Sequence, residues 1–209
     1  MKEDAVKITI IGGSQGTGAQ LATLAHSAGH DVTVLSRSGR GENGVRSLAG
    51  DASDPVVAAE AVTGADAVVI TVGAAKGVHH QRAAVTRAVV AAMESAGVSR
   101  LVVQSSLGAG NSASQLPTVL RFITMLVLAK PLADHNEQES AVMNSKLDWT
   151  VLRPTGLTNK TPTGKWHAVE VGDATKLGGT IPRGDLAACM LESLEDDTTI
   201  GKALGVSSR

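Results

Sequence analysis

Short apolar runs alternate with longer stretches of helical periodicity along most of the chain. Residues 6–11, 31–35, 45–49, 67–72, 100–104 and 149–153 read as strands, most of them near-continuous apolar runs suited to burial on both faces. Between them, residues 16–28, 55–62, 79–96 and 133–145 read as helices. In the third, Ala84, Val85, Ala88, Val89, Ala92 and Met93 share one face at a period near 3.6. Strand alternating with helix predicts a parallel sheet with right-handed crossovers, a doubly wound α/β fold. The last third is less regular. There 165–171 and 203–206 read as short strands and 185–194 as a helix, a small C-terminal elaboration on the open end of the same sheet. One domain over residues 1–209 is expected, with loops at Gly29, at 39–44 and at Gly97.

Composition narrows what such a fold can do. The chain is 43% hydrophobic and 19% charged, the balance of a globular protein, and its net charge of −1 argues against binding nucleic acid by bulk charge. A lone cysteine, Cys189, excludes an intramolecular disulfide framework and a Cys-rich zinc site; within its helical pattern it reads as a buried small hydrophobe. The N-terminal MKEDAVKITIIGG lacks a long apolar segment. Residues 116–128, the most apolar later stretch, contain Pro117 and Arg121 and are too short to span a bilayer. These features predict a cytoplasmic protein with no membrane or nucleic-acid partner, a monomer or weak homodimer. Two Trp, one Phe and no Tyr make up the aromatic content, and the missing tyrosine constrains the chemistry.

The first strand runs into Gly12-Gly13-Ser14-Gln15-Gly16-Thr17-Gly18 and then a helix. The spacing G-x-x-x-G-x-G uses Gly12, Gly16 and Gly18. Glycine lets the chain turn tightly off the strand and lets its backbone approach a pyrophosphate, while the helix start offers free N–H groups to the anion. Ser14, Gln15 and Thr17 line that turn. A glycine string alone is weak evidence; between the first strand and first helix of an α/β chain it points to a Rossmann-type dinucleotide site. The second strand ends Ser36-Arg37-Ser38-Gly39-Arg40, with no acid where NAD-binding chains place one. Arg37 and Arg40 suit the 2′-phosphate of NADPH, or else are ordinary solvated charges. Asp31 begins this strand, at the end away from the cofactor.

These residues resemble the short-chain dehydrogenase/reductase superfamily, in particular its atypical NAD(P)H-binding branch of NmrA-like proteins and biliverdin reductase B-like flavin reductases. Further motifs carry the resemblance over most of the chain. Gly50-Asp51-Ala52-Ser53-Asp54 is similar to the adenine-contacting segment, and Thr71-Val72-Gly73 to the segment beside the adenosine ribose. Gln104-Ser105-Ser106 stands where the family keeps its active-site serine. Leu147-Asp148-Trp149-Thr150-Val151-Leu152-Arg153-Pro154 resembles the family's LDWTxxRP strand, with Thr155 and Gly156 opening the loop over the nicotinamide. Ile181-Pro182-Arg183-Gly184-Asp185-Leu186-Ala187 resembles its I-x-R-x-D-L-A helix entry. The last two are quite specific in combination.

The departure from the superfamily lies in its catalytic Tyr-x-x-x-Lys. Counting back from Arg153-Pro154 by the branch's spacing, Glu139 falls on its common Glu, His135 on the Lys and Pro131 on the Tyr. Asp134-His135 resembles a pair in the flavin reductases, whose further active-site histidine is replaced here by Thr155. The resemblance implies an NADPH-dependent oxidoreductase with Ser105, Ser106 and His135 as catalytic candidates and a flavin, a quinone or a similar conjugated molecule as acceptor. A serine donating a hydrogen bond and His135 relaying a proton are the chemistry left without tyrosine. The alternative is an NADP(H)-binding sensor or regulator without turnover. Sugar-nucleotide or isoflavone-type reduction is a further rival, for which so short a chain leaves little substrate-binding region. No metal site is expected: His79-His80 point about 100° apart on a helix and read as a solvated helix start. The 116–128 stretch is a pocket wall, a lid, an interface or core. Trp166-His167 either reaches the site or packs elsewhere.

Overall fold

The computed structural model describes residues 5–41, 44–73, 81–116, 129–173 and 177–209. Strands β1 (Lys7–Ile11), β2 (Asp31–Ser36), β3 (Arg46–Ala49), β4 (Ala67–Ile70), β5 (Arg100–Gln104), β6 (Asp148–Pro154), β8 (Trp166–Glu170) and β10 (Lys202–Ser208) form one sheet in the order β3-β2-β1-β4-β5-β6-β10-β8. All neighbours are parallel except β8, which runs antiparallel to β10 on the edge. A separate parallel pair joins β7 (Gly156–Thr158) to β9 (Thr180–Pro182). The helices are α1 (Gly16–Ala28), α2 (Pro55–Val62), α3 (Gln81–Ala96), α4 (Ala129–Met143) and α5 (Arg183–Glu195).

The continuous apolar strands are two-faced, and each face has its own core. Ile8, Ile10, Val69, Val102 and Leu152 point to the side covered by α1 and α5; Ile11, Val68, Ile70, Leu101, Val103 and Val151 point to the side of α2, α3 and α4. This alternation is the period of two that a pleated strand imposes. Val85, Val89, Ala92 and Met93 lie on the buried face of α3 as the periodicity predicts, joined by Ala83, Thr86 and Val90, while Ala84 and Ala88 sit at its margin. Local signals set the helix ends. Asp54 caps α2 by accepting from Val56 N–H at 2.8 Å with Pro55 in the first turn, and Gly29 closes α1 at φ 100°.

The fold is the doubly wound Rossmann type expected. From β1 the chain builds outward to β2 and β3, then returns to the other side of β1 for β4, β5 and β6. The reversal between β1 and β4 opens a crevice at the carboxyl ends of the strands, where such sheets bind ligands. The C-terminal strands join the same sheet, and α5 packs beside α1 against β5 and β6. Strands β7 and β9 were not legible in the sequence because three residues are too few to show a period. His79, His80 and residues 117–128 lie outside the described residues. Among the described residues, no helix is long and apolar enough to cross a membrane.

Candidate functional site

The glycine-rich turn sits at the strand-order reversal. Gly12 has φ +91°, and a Cβ there would stand 3.2 Å from the backbone of Thr71 and Val72. A Cβ on Gly18 would collide with Thr71 Oγ1 and come within 2.7 Å of the Gly12 carbonyl oxygen. Gly18 therefore brings α1 close against the ends of β1 and β4 and lies beneath the turn, outside the cleft lining. Helix α1 starts at an extended Gln15 with no side-chain cap and no acid in its first turn, so its leading N–H groups remain free for an anion.

A cleft of ≈ 610 Å³ opens above this turn. Gly12, Ser14, Gln15, Gly16 and Thr17 form its floor; Ser36 and Arg37 reach it from β2. Asp51 and Ala52 line it after β3, and Thr71, Val72 and Gly73 after β4. Arg40 is exposed and stands outside the lining. Asp51 accepts from Ser53 N–H at 2.9 Å and Ser53 Oγ–H at 2.8 Å. These bonds hold its carboxyl below the usual range, with a smaller contribution from the charge of Arg37. Arg37 thus shares the cleft with an acid supplied from beyond β3, although the end of its own strand carries none.

A second cavity of ≈ 520 Å³ shares Val72, Gly73, Arg82, Gln104, Leu157 and Arg183 with the first. It gathers Ser105 and Ser106 from the end of β5, His135 from α4, and Pro154, Thr155 and Gly156 from the end of β6. Leu107, Leu116 and Gly179 supply apolar wall. Four buried polar atoms of residues lining these cavities lack a partner among the described residues: Thr17 Oγ1 and Gln81 Oε1 in the first, Gln104 Oε1 at the junction and Thr155 Oγ1 in the second. Unmatched buried polar atoms are rare in folded proteins, and at a cavity wall a bound ligand is one source of the partner. Together with the glycine cradle and the uncapped helix, they fit a bound nicotinamide dinucleotide.

Behind the second cavity runs a buried polar chain. Ser105 Oγ donates to Glu139 Oε1 at 2.6 Å. Glu139 takes Arg153 bidentately, Nε to Oε1 at 2.9 Å and Nη2 to Oε2 at 2.7 Å, and Arg153 Nη1 donates onward to Asn111 Oδ1 at 2.9 Å. Ser105, Glu139 and Arg153 are each no more than 2% exposed. Ser105 is therefore turned inward with its proton committed to Glu139, whereas Ser106 keeps partial exposure on the cavity wall. His135 Nδ1 lies 3.4 Å from Ser105 Oγ and 3.2 Å from Gln138 Oε1. Burial, reinforced by the Arg82 charge and opposed by Gln138, Asp134 and Glu139, pushes the ring down to about 4.

That shift leaves the ring a weak base near neutral pH and predicts an acid-sensitive fold. Above pH 6.5 the ring is neutral whether the chain is folded or not. Between 6.5 and about 4 the unfolded chain binds a proton that the folded one refuses, so stability falls as pH falls. The histidine's share of the loss levels off below that window at roughly 3 kcal/mol. Urea unfolding at pH 7.5 and 4.5 is expected to show a smaller acid loss in His135→Gln than in the native chain. An equal loss in both would contradict the buried neutral ring.

Other expectations resolve differently. Asp134 does not hydrogen-bond its neighbour His135; it accepts from Ala83 N–H at 3.0 Å and from Arg82 Nη1 at 3.2 Å, capping the start of α3. Pro131, in the tyrosine position, is exposed in the first turn of α4. Trp166 packs against the α1/α5 core from edge strand β8, and neither it nor His167 lines either cavity. Cys189 is buried, which pushes its thiol up to about 12. No cluster of metal-ligating side chains occurs among the described residues.

Arg183 was missed as a site residue, although the helix-entry motif contained it. It lines both cavities, donates from Nη1 to Asn159 Oδ1 at 3.1 Å, and makes no ion pair among the described residues. A Cβ on Gly16 would lie 3.4 Å from its Nε, so its side chain overhangs the glycine turn. Asp185 holds this corner: buried in the first turn of α5, it accepts from Thr163 N–H and Oγ–H, both at about 2.9 Å, and from Gly164 N–H at 2.8 Å.

A doubly wound sheet with a glycine turn at its switch point and a second chamber beside it defines a dinucleotide-binding protein. The chain belongs to the NAD(P)H-binding family, whose model matches residues 12–197. Among solved structures it is similar to ChuY, an anaerobillin reductase from Escherichia coli O157:H7, at 26% identity and TM-score 0.80 over 97% of each chain. It shares its fold with the oxidoreductase ylbE from Lactococcus lactis, at 19% identity and TM-score 0.84 over 97% of this chain and 91% of that one. It also shares the fold of a wide-type short-chain dehydrogenase/reductase from Veillonella parvula DSM 2008 in complex with NADP, at 19% identity and TM-score 0.82 over 97% and 94%. No curated protein sequence matches. The NAD(P)H-binding part of the resemblance seen in the motifs is thus met by the family, and the Rossmann-type fold by the solved structures.

Proposed function

We propose that this chain is an NADPH-dependent reductase whose second cavity takes a flavin, a quinone or a similar conjugated acceptor. When bound, the nicotinamide supplies a hydride to that acceptor. The observation that carries this reading is a chamber joined to the dinucleotide cleft whose described lining has no Tyr, Lys, Asp or Glu. Reducing a simple ketone concentrates charge on one oxygen and needs a positioned donor, whereas a conjugated acceptor spreads the charge and takes its proton from solvent. The protein's task is then to hold the two reactants together. Ser106, Thr155 and Gln104 line the chamber with polar groups that orient what enters, and Ser105 supports His135 from behind. The description of the Escherichia coli relative as a reductase supports the same direction of chemistry.

The choice of NADPH rests on Arg37 in the cleft at the end of β2. A charge-assisted contact to a 2′-phosphate contributes about 1.5–3 kcal/mol, so Arg37→Ala is expected to weaken NADPH binding about ten- to a hundredfold and NADH binding much less. Titration calorimetry checks this; equal NADH and NADPH affinities in the native chain would contradict it.

The missing tyrosine also favours a second reading, an NADP(H)-binding sensor without turnover. One experiment separates the two. NADPH oxidation is followed with a panel of free flavins and quinones. Consumption well above the buffer rate supports the reductase; tight NADPH binding with no acceleration by any acceptor supports the sensor.

A further inference from the structure

His135 is held by groups whose donor and acceptor roles are already assigned. Gln138, fully buried, donates through Nε2 to Thr86 Oγ1 at 3.3 Å, which leaves its Oε1 facing His135 Nδ1 at 3.2 Å. In this amide orientation, which the Thr86 hydroxyl satisfies without by itself requiring it, the hydrogen between them belongs to the ring. Ser105 agrees from the other side. Its single hydroxyl proton goes to Glu139 at 2.6 Å, so what it turns toward Nδ1, 3.4 Å away, is a lone pair. Arg153 keeps Glu139 in place with two charge-assisted bonds, which fixes the direction of the serine proton. A neutral imidazole carries one N–H, and both neighbours of Nδ1 call for it there.

We propose that Gln138 and Glu139 are positioning residues that hold His135 as the Nδ1–H tautomer, leaving Nε2 as a hydrogen-bond acceptor on the ring edge turned away from Ser105 and Gln138. His135 lines the second cavity, and Nε2 has no partner among the described residues. The group that meets it therefore carries an O–H or N–H. Low basicity of the buried ring fits this role, since an imidazolium would present a donor on both nitrogens. What fills the cavity rests on the reductase reading; the tautomer does not, and it is measured without turnover.

The test is a long-range proton–nitrogen correlation spectrum of the full chain labelled with ¹⁵N-histidine, near neutral pH, with His135 assigned by its loss in His135→Asn. The expected spectrum shows Nδ1 as the protonated nitrogen and Nε2 as the bare one. In Gln138→Leu, the two shifts are expected to move toward each other as the tautomers mix. A native ring protonated on Nε2, or on both nitrogens, overturns the proposal. So does a folded Gln138→Leu whose shifts match the native ones. If that variant does not fold, the native spectrum alone decides. Failure to find an acceptor would count against the reductase and leave this spectrum unaffected.

Discussion

Glu139→Ala is expected to destabilise the fold by about 3–5 kcal/mol, the cost of stranding a buried charge. Arg153 is 1% exposed, and two of its three side-chain hydrogen bonds end on Glu139. Gly110, at φ +55°, presses on the pair so closely that a Cβ there would run into both partners. Ser105 would lose its acceptor in the same step. For a chain of this size the loss corresponds to a fall in Tm of roughly 6–20 °C. The double variant Glu139→Leu with Arg153→Met is expected to lose less, because removing both charges leaves none unpaired. Urea unfolding of the three chains measures both effects. A loss below about 1 kcal/mol in Glu139→Ala would mean that the pair is not the buried ion pair described.

The same network shows where sequence reasoning ends. The strands were legible because burial on both faces makes each a continuous apolar run, and the glycine turn because tight packing leaves no alternative residue at Gly18. Nothing local could show that Ser105 donates to a carboxylate 34 residues later, or that Asp51 comes to line the same cleft as Arg37. Those are consequences of strand order. The chemistry assigned to His135 changed for the same reason: its burial is set by α3, β5 and α4 together, so an ordinary histidine in the sequence becomes a weakly basic one in the fold. Arg183 was present in a recognised motif, yet only the meeting of β9 with the glycine turn shows it between two cavities.

Simple ketones are expected to be reduced about 10²–10⁴-fold less efficiently than conjugated acceptors, the usual worth of a positioned proton donor. Pro131 has neither donor nor ionisable group, and the chain holds no tyrosine elsewhere to substitute. His135 cannot make up the difference as an acid, because its ring is neutral at physiological pH. It can still accept a hydrogen bond and order what lies beside it. His135→Ala is therefore expected to lower turnover of a flavin or quinone only moderately, with a smaller effect on NADPH affinity than on rate.

Steady-state kcat/KM for a free flavin, a quinone and an unconjugated ketone, measured with NADPH on the native chain and on His135→Ala, tests the central claim most directly. The expected result is turnover of at least one conjugated acceptor, reduced but present in the variant, with the ketone lower by two orders of magnitude or more. Efficient ketone reduction that disappears in His135→Ala would make His135 an essential acid and contradict a reductase that works by holding its reactants together.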